Sequence, residues 1–280
     1  MEVDLSSIDI LETLDDDPTL LNAITATLQS PQDSETKARQ VTDSILLYCA
    51  EAYSSTRLSG DLTQVWWILT DIACLVPPNH PWQDTLVEAV RLLRTQGGEA
   101  TAGHRLWSDL PDLSLILRDK WYDPTTEPAL REITPEDLSK WQNLNSFTAR
   151  LTDKHFSPWL NFPIWEIRNA LEDAPASGAA MRCRLWVACE WILRCGDVLF
   201  DSMCTREELD ENSARVLSLG QLSAIEDTDI APLSVERWAF WKKRLVEIGA
   251  GRGELQLGDS MCGRILDTLQ HMANVEKGYE

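Results

Sequence analysis

Apolar residues recur along most of this chain at the three-and-four spacing of an amphipathic helix, and sustained strand-like alternation is absent. Prolines and capping residues cut that pattern into ten predicted helices. Pro18 sets the start of the first, over about 19–29. Ser34 opens the second, whose stripe is Val41, Ile45, Leu46 and Cys49. Asp61 begins the third, through Val65, Trp66, Leu69, Ile72 and Ala73, until Pro77 and Pro78 remove two backbone donors and stop it. Pro81 stands in the first turn of the fourth, which ends at Gly97 and Gly98, and Pro111 precedes a fifth from Asp112 to about Trp121. Thr134-Pro135-Glu136-Asp137 starts the sixth, over 134–155, with a cap, a proline at the first position and acids facing the helix dipole. A seventh is predicted over 160–172 and a long eighth over 178–202. A polar, irregular stretch to Pro232 precedes helix 235–249, a Gly-rich loop at 249–258 and a last helix over 259–277.

The fold class is therefore all-α: an irregular bundle of about ten helices. Residues 1–17 are acidic and aperiodic, and are expected to form a flexible N-terminus. Residues 18–280 read as a single helical domain, with a hinge expected in the proline-containing connector at 122–133. Twelve tryptophans change the picture of the core. Each ring buries roughly 150–250 Å², enough to fix how helices pack, so Trp141, Trp165, Trp186 and Trp191 are expected inside. The eighth helix is apolar around nearly its whole circumference, as a helix surrounded by others would be. Its charged residues Glu190, Arg194 and Asp197 share one face at i, i+4 and i+7. That face is either a solvated row, a buried ionic cluster beside Trp186, or an interface.

Charge narrows the partners. Lys and Arg total 25 against 45 Asp and Glu, a formal charge of −20. Such a surface repels phosphate, so neither nucleic acid nor an anionic membrane is an expected partner. Solubility accounts for the charge, and steering of a basic protein partner is the alternative. The longest apolar run, Leu185 to Phe200, carries three charges, which a membrane span would not readily hold. Seven cysteines, an odd number, lie mostly in apolar helical stretches, with no C-x-x-C, signal peptide or glycosylation sequon. A reducing, cytoplasmic location is expected.

No catalytic motif stands. Glu247-Ile248-Gly249-Ala250-Gly251-Arg252-Gly253 looks like a methyltransferase glycine loop, but a helix precedes it and only 27 residues follow, too few for the required sheet. Asp15-Asp16-Asp17 is followed by proline at the terminus, unlike the magnesium-binding acidic cluster of a terpene cyclase. His80, His104, His155 and His271 fit no zinc spacing, and Cys183, Cys189 and Cys195 point to different sides of their helix. Neither a cofactor nor a metal is expected.

Four strings carry a resemblance. They are Trp107-Ser108-Asp109-Leu110-Pro111 with Arg118 and Trp121, Trp141-Gln142-Asn143-Leu144-Asn145-Ser146-Phe147 running on to Arg150-Leu151, Trp165-Glu166-Ile167-Arg168-Asn169-Ala170-Leu171-Glu172, and Glu236-Arg237-Trp238-Ala239-Phe240-Trp241-Lys242. Their order and spacing resemble a family of uncharacterised all-helical proteins of filamentous fungi, known as a domain of unknown function. The likeness runs from about residue 40 to the C-terminus. It implies a helical, intracellular fungal protein and no particular activity. Related genes often neighbour small-molecule biosynthetic genes, an associational hint. Physically, the polar residues in these strings either tie helix ends and loops to the core or line a ligand pocket.

The favoured function is a pocket binding a small apolar or polycyclic molecule, as in a cofactor-free isomerase or cyclase of fungal secondary metabolism. The pocket is expected among helices 134–155, 160–172 and 178–202. Asn145, Arg150, Arg168 and Glu190 would face the ligand, with Trp141, Trp165 and Trp186 as walls. Glu190 would be the general acid or base, because burial beside aromatics raises a carboxyl pKa, and Arg168 would hold an oxygen. The competing class is a helical protein–protein interaction scaffold with an acidic surface.

Overall fold

A computed structural model of the chain describes residues 3–6, 8, 18–52, 58–97, 100–101, 104–126, 133–153, 159–205, 208–226, 230–251, 255 and 257–279. Among them are twelve helices: α1 (Thr19–Gln29), α2 (Ser34–Ala52), α3 (Leu58–Leu75), α4 (Pro81–Thr95), α5 (Leu113–Asp119), α6 (Pro135–Leu151), α7 (Asn161–Leu171), α8 (Gly178–Thr205), α9 (Glu211–Val216), α10 (Gln221–Glu226), α11 (Val235–Ala250) and α12 (Asp259–Lys277). The fold is all-α, with a two-residue antiparallel pair, Ala100–Thr101 with His104–Arg105, as its strand content among the described residues.

Most starts follow local chemistry. Thr134 and Asp137 form a reciprocal capping box at α6, and Pro135 fills the first helical position, where no backbone N–H is needed. Ser234 accepts from the Arg237 N–H at 3.2 Å to cap α11, and His80 Nδ1 accepts from Trp82 N at 3.3 Å ahead of Pro81. The structure corrects the sequence reading in three places. The fifth helix covers only 113–119: Leu110 and Asp112, on either side of Pro111, take positive φ (44° and 69°) and put its start at Leu113, and Lys120 caps its end. The sixth ends at Leu151 rather than 155. The stretch read as irregular to Pro232 holds α9 and α10, each of six residues and too short to give a period.

The chain groups into two compact units. The first comprises residues 1–123 and 139–147, the second 124–138 and 148–280. The boundary at Asp123 lies in the connector 122–133, of which 127–132 are outside the described residues. In the first unit, α2 packs on α1, α3 and α4. The Trp66 indole donates to Pro111 O at 2.8 Å, and Trp121 meets Trp141 edge-on at 5.0 Å. Gln83, fully buried, donates to Val76 O at 2.7 Å, while Asn143 donates to Cys74 O at 2.7 Å.

The second unit is built on α8, which packs against α7, α11 and α12. It buries fifteen residues, from Met181 to Met203, as its nearly continuous apolar surface predicts. It is kinked at Cys195 (φ −134°, ψ 26°), next to Gly196. There the Cys195 thiol donates to Trp191 O at 3.1 Å, and the His271 ring fits where a side chain at 196 would stand. Phe200, Trp238 and Trp241 make a contiguous aromatic cluster with centroids 5.2 and 6.2 Å apart. Trp191, Trp238 and Trp241 are buried, and so is Trp141 in the first unit.

Candidate functional site

The densest polar constellation is one the sequence reading did not assemble. Glu172, at the end of α7, and Arg237, in the first turns of α11, are both wholly buried. Arg237 Nε donates to Glu172 Oε1 at 2.7 Å and Nη2 donates to Oε2 at 3.2 Å, a forked pair. The remaining guanidinium donors go to backbone: Nη1 to Leu217 O and Pro232 O, both at 2.7 Å, and Nη2 also to Ser218 O at 3.1 Å. The carboxylate also accepts from the Trp241 indole at 2.6 Å, the Gly220 N–H at 2.7 Å and the Ser223 hydroxyl at 2.8 Å.

Each charge therefore has its complement of partners, the condition under which a buried pair is tolerated. Burial pushes the Glu172 carboxyl upward, but Arg237 and the neutral donors outweigh it and hold the group below its ordinary value. Burial pulls the Arg237 guanidinium down while Glu172 acts against it. Gly220 is needed for closeness: a Cβ there would lie 2.6 Å from Glu172 Cβ and 2.8 Å from its backbone carbon. The arrangement clamps residues 217–223 and Pro232 onto α7 and α11. It leaves no lone pair or N–H of the clamp directed at a ligand.

The residues predicted to share a pocket have different partners. Trp141 and Asn145 fall in the first unit, where the buried Asn145 amide donates to Trp141 O of its own helix at 2.9 Å. Arg150, half-buried, lies on the last turn of α6. Arg168 joins the clamp, donating to Ser218 O at 3.1 Å and Ser218 Oγ at 3.2 Å, while the Trp165 indole donates to Val216 O at 2.9 Å. Both act on the 216–218 segment. Trp165 and Trp186 are half-buried, not enclosed as expected.

Glu190 has different neighbours. It is buried, and it accepts from Arg194 Nε at 3.0 Å and from Arg264 Nη2 of α12, whose guanidinium lies over the Trp186 ring at 4.3 Å. Arg194 and Asp197 are exposed. The charged face of α8 is thus split, buried at Glu190 and solvated beyond it. The buried thiols offer no nucleophile. Desolvation raises Cys74 to about 12 and Cys189 to about 11, and raises Cys195 as well. None of the seven cysteines forms a disulfide. Among the described residues no group of three or more His, Cys, Asp or Glu is placed to hold a metal. No helix is long and apolar enough to cross a membrane. Asp15 to Asp17, His155 and part of the Gly-rich loop lie outside the described residues.

Among the described residues, three cavities have linings that include none of the seven predicted residues. One of about 680 Å³ lies between residues 3–8 and α1, and one of about 240 Å³ is edged by Arg244, Glu247 and Met181. The third, of about 320 Å³, is a groove formed by Leu245, Val246, Gly249 and Ala250 of α11 with Cys262, Ile265, Leu266 and Leu269 of α12. Every residue lining it is apolar. Val246 and Leu266 on its rim are 53% and 60% exposed, which for large apolar side chains marks a surface without its cover. The sequence carried a signal for it, since Val246 and Leu266 lie outside the apolar stripes that face α8.

Among curated proteins and among solved structures nothing matches the chain. A family model described as "Protein of unknown function (DUF3632)" matches residues 66–245, which include all four polar and tryptophan-bearing strings and the Glu172–Arg237 clamp. The chain belongs to that family.

Proposed function

We propose that this chain is a helical binding module that recognises an apolar group through the groove between α11 and α12. The observation that carries the reading is the groove itself: about 320 Å³, with eight apolar lining residues and two large side chains left exposed on its rim. A site lined by no acidic, basic or amide side chain can hold hydrocarbon but has no group to protonate it, so the chemistry it supports is binding and not turnover. Arg168 serves the 216–218 segment, and Glu190 is engaged by two arginines.

The test is titration with the neutral dye Nile red, followed by fluorescence. Wild type is expected to bind the dye, and Leu266→Asp to lose that binding with an unchanged melting temperature, since Leu266 is exposed. Undiminished dye binding in the variant would overturn the reading.

A further inference from the structure

We infer that the occupant of the α11–α12 groove is a basic amphipathic helix presented by another protein. The inference rests on the binding-module reading and adds the chemistry of the partner. Shape gives the first part. The lining residues fall at i, i+1, i+4 and i+5 on α11 and at i, i+3, i+4 and i+7 on α12, so one face of each helix bounds an apolar trough. A third helix laying its own apolar stripe into such a trough is a recurring mode of recognition. Val246 and Leu266 line the trough and are largely exposed, which suits a ridge of side chains better than an enclosed small molecule.

Charge gives the second part. Among the described cations near the groove, Arg264 holds Glu190, while Arg244, at 2.5 Å, and Lys243, at 3.8 Å, share the single Glu247 carboxylate. Asp259 and Asp267 on α12 are exposed and have no ion-pair partner among the described residues. Unbalanced charge at the rim is therefore negative, within a chain of formal charge −20. A lysine- or arginine-faced helix gains from this field, in encounter rate and in orientation. A second copy of the chain would set Asp259 and Asp267 against their own kind.

The experiment uses two synthetic helices of about 18 residues, five turns, with the same Leu/Ile/Val stripe and either lysine or glutamate on the polar face. Each is titrated into the full chain by calorimetry, with sedimentation of the chain alone alongside. The lysine-faced helix is expected to bind about tenfold or more tightly than the glutamate-faced one at low salt, and to weaken as salt screens the rim. Its affinity is expected to fall in Asp267→Asn and to vanish in Leu266→Asp. Equal binding of both helices, lost in Leu266→Asp, would overturn the basic partner while leaving the groove a binding site. Self-association of wild type, lost in Leu266→Asp, would replace that partner with a second copy. Failure of both helices to bind a groove that still takes Nile red would overturn the helical occupant. Failure of the dye as well would overturn the binding-module reading.

Discussion

Arg237 makes five hydrogen bonds inside the second unit, and its loss would leave the Glu172 carboxylate buried without its cation. Breaking one side of such a pair costs about 3–5 kcal/mol, more than the pair itself contributes relative to an apolar replacement. Arg237→Met is accordingly expected to destabilise by that amount in denaturant melts; a loss below about 1 kcal/mol would show the clamp to be dispensable. Gln64 poses the opposite case. It is 2% exposed, yet neither Nε2 nor Oε1 has a hydrogen-bond partner. An unmatched buried amide costs about 1–3 kcal/mol, so Gln64→Leu should be neutral or stabilising, and a clear loss of stability would reveal an unseen partner for the amide. Sequence could supply the residue types of the clamp but not their pairing. Arg168 and Glu172 sit four apart and read as a local pair, whereas Glu172 is paired across 65 positions with Arg237 and Arg168 turns to Ser218. The requirement for Gly220 is still less legible, because it comes from contact with Glu172 and not from a turn of its own.

At the scale of elements, the sequence was most informative where chemistry is local. The α1 range and the starts of α4 and α11 follow from prolines, caps and period, and α12 from period alone. The prolines and caps failed where two residues with positive φ shortened α5, and period failed where α9 and α10 were a turn and a half long. Helix α8 shows both what period gives and what it omits. Its surrounded character was readable, but the kink at Cys195–Gly196 depends on His271 and Trp238 approaching Gly196 from other helices. The two tryptophans of this helix provide a contrast. Trp191 is fully buried and Trp186 half-buried beneath Arg264. Trp191→Ala is expected to cost about 3–5 kcal/mol by thermal unfolding and Trp186→Ala distinctly less; equal costs would contradict the burial assigned here.

For the whole molecule, the two sides of its chemistry are kept apart. Polar residues of the family strings hold segments of the second unit together, while the uncovered apolar surface lies at the end of α11 and along α12. The acid response of stability belongs at this scale. The Glu172 pKa is lower folded than its ordinary 4.5, so the unfolded chain binds more protons once pH falls to that value. The stabilisation is therefore complete above about 4.5 and is lost as pH drops through the folded value. Melting temperature should decline over that interval, and Glu172→Gln, less stable at neutral pH, should show a shallower decline; parallel curves would remove Glu172 from the acid response.

The site was the least legible part of the sequence. Its mark is an absence: no charged or amide side chain among eight lining positions and, among the described residues, no element covering Val246 or Leu266. Polarity drew attention instead to Arg168 and Glu190, whose partners come from elsewhere in the fold. The most direct measurement of the central claim is amide hydrogen exchange along the intact chain, alone and saturated with the lysine-faced helix. Slowed exchange at 245–250 and 262–269, with 141–150, 165–172 and 186–190 unchanged, is the predicted result. Protection concentrated around Arg168 and Glu190, with the α11–α12 groove unaffected, would contradict it.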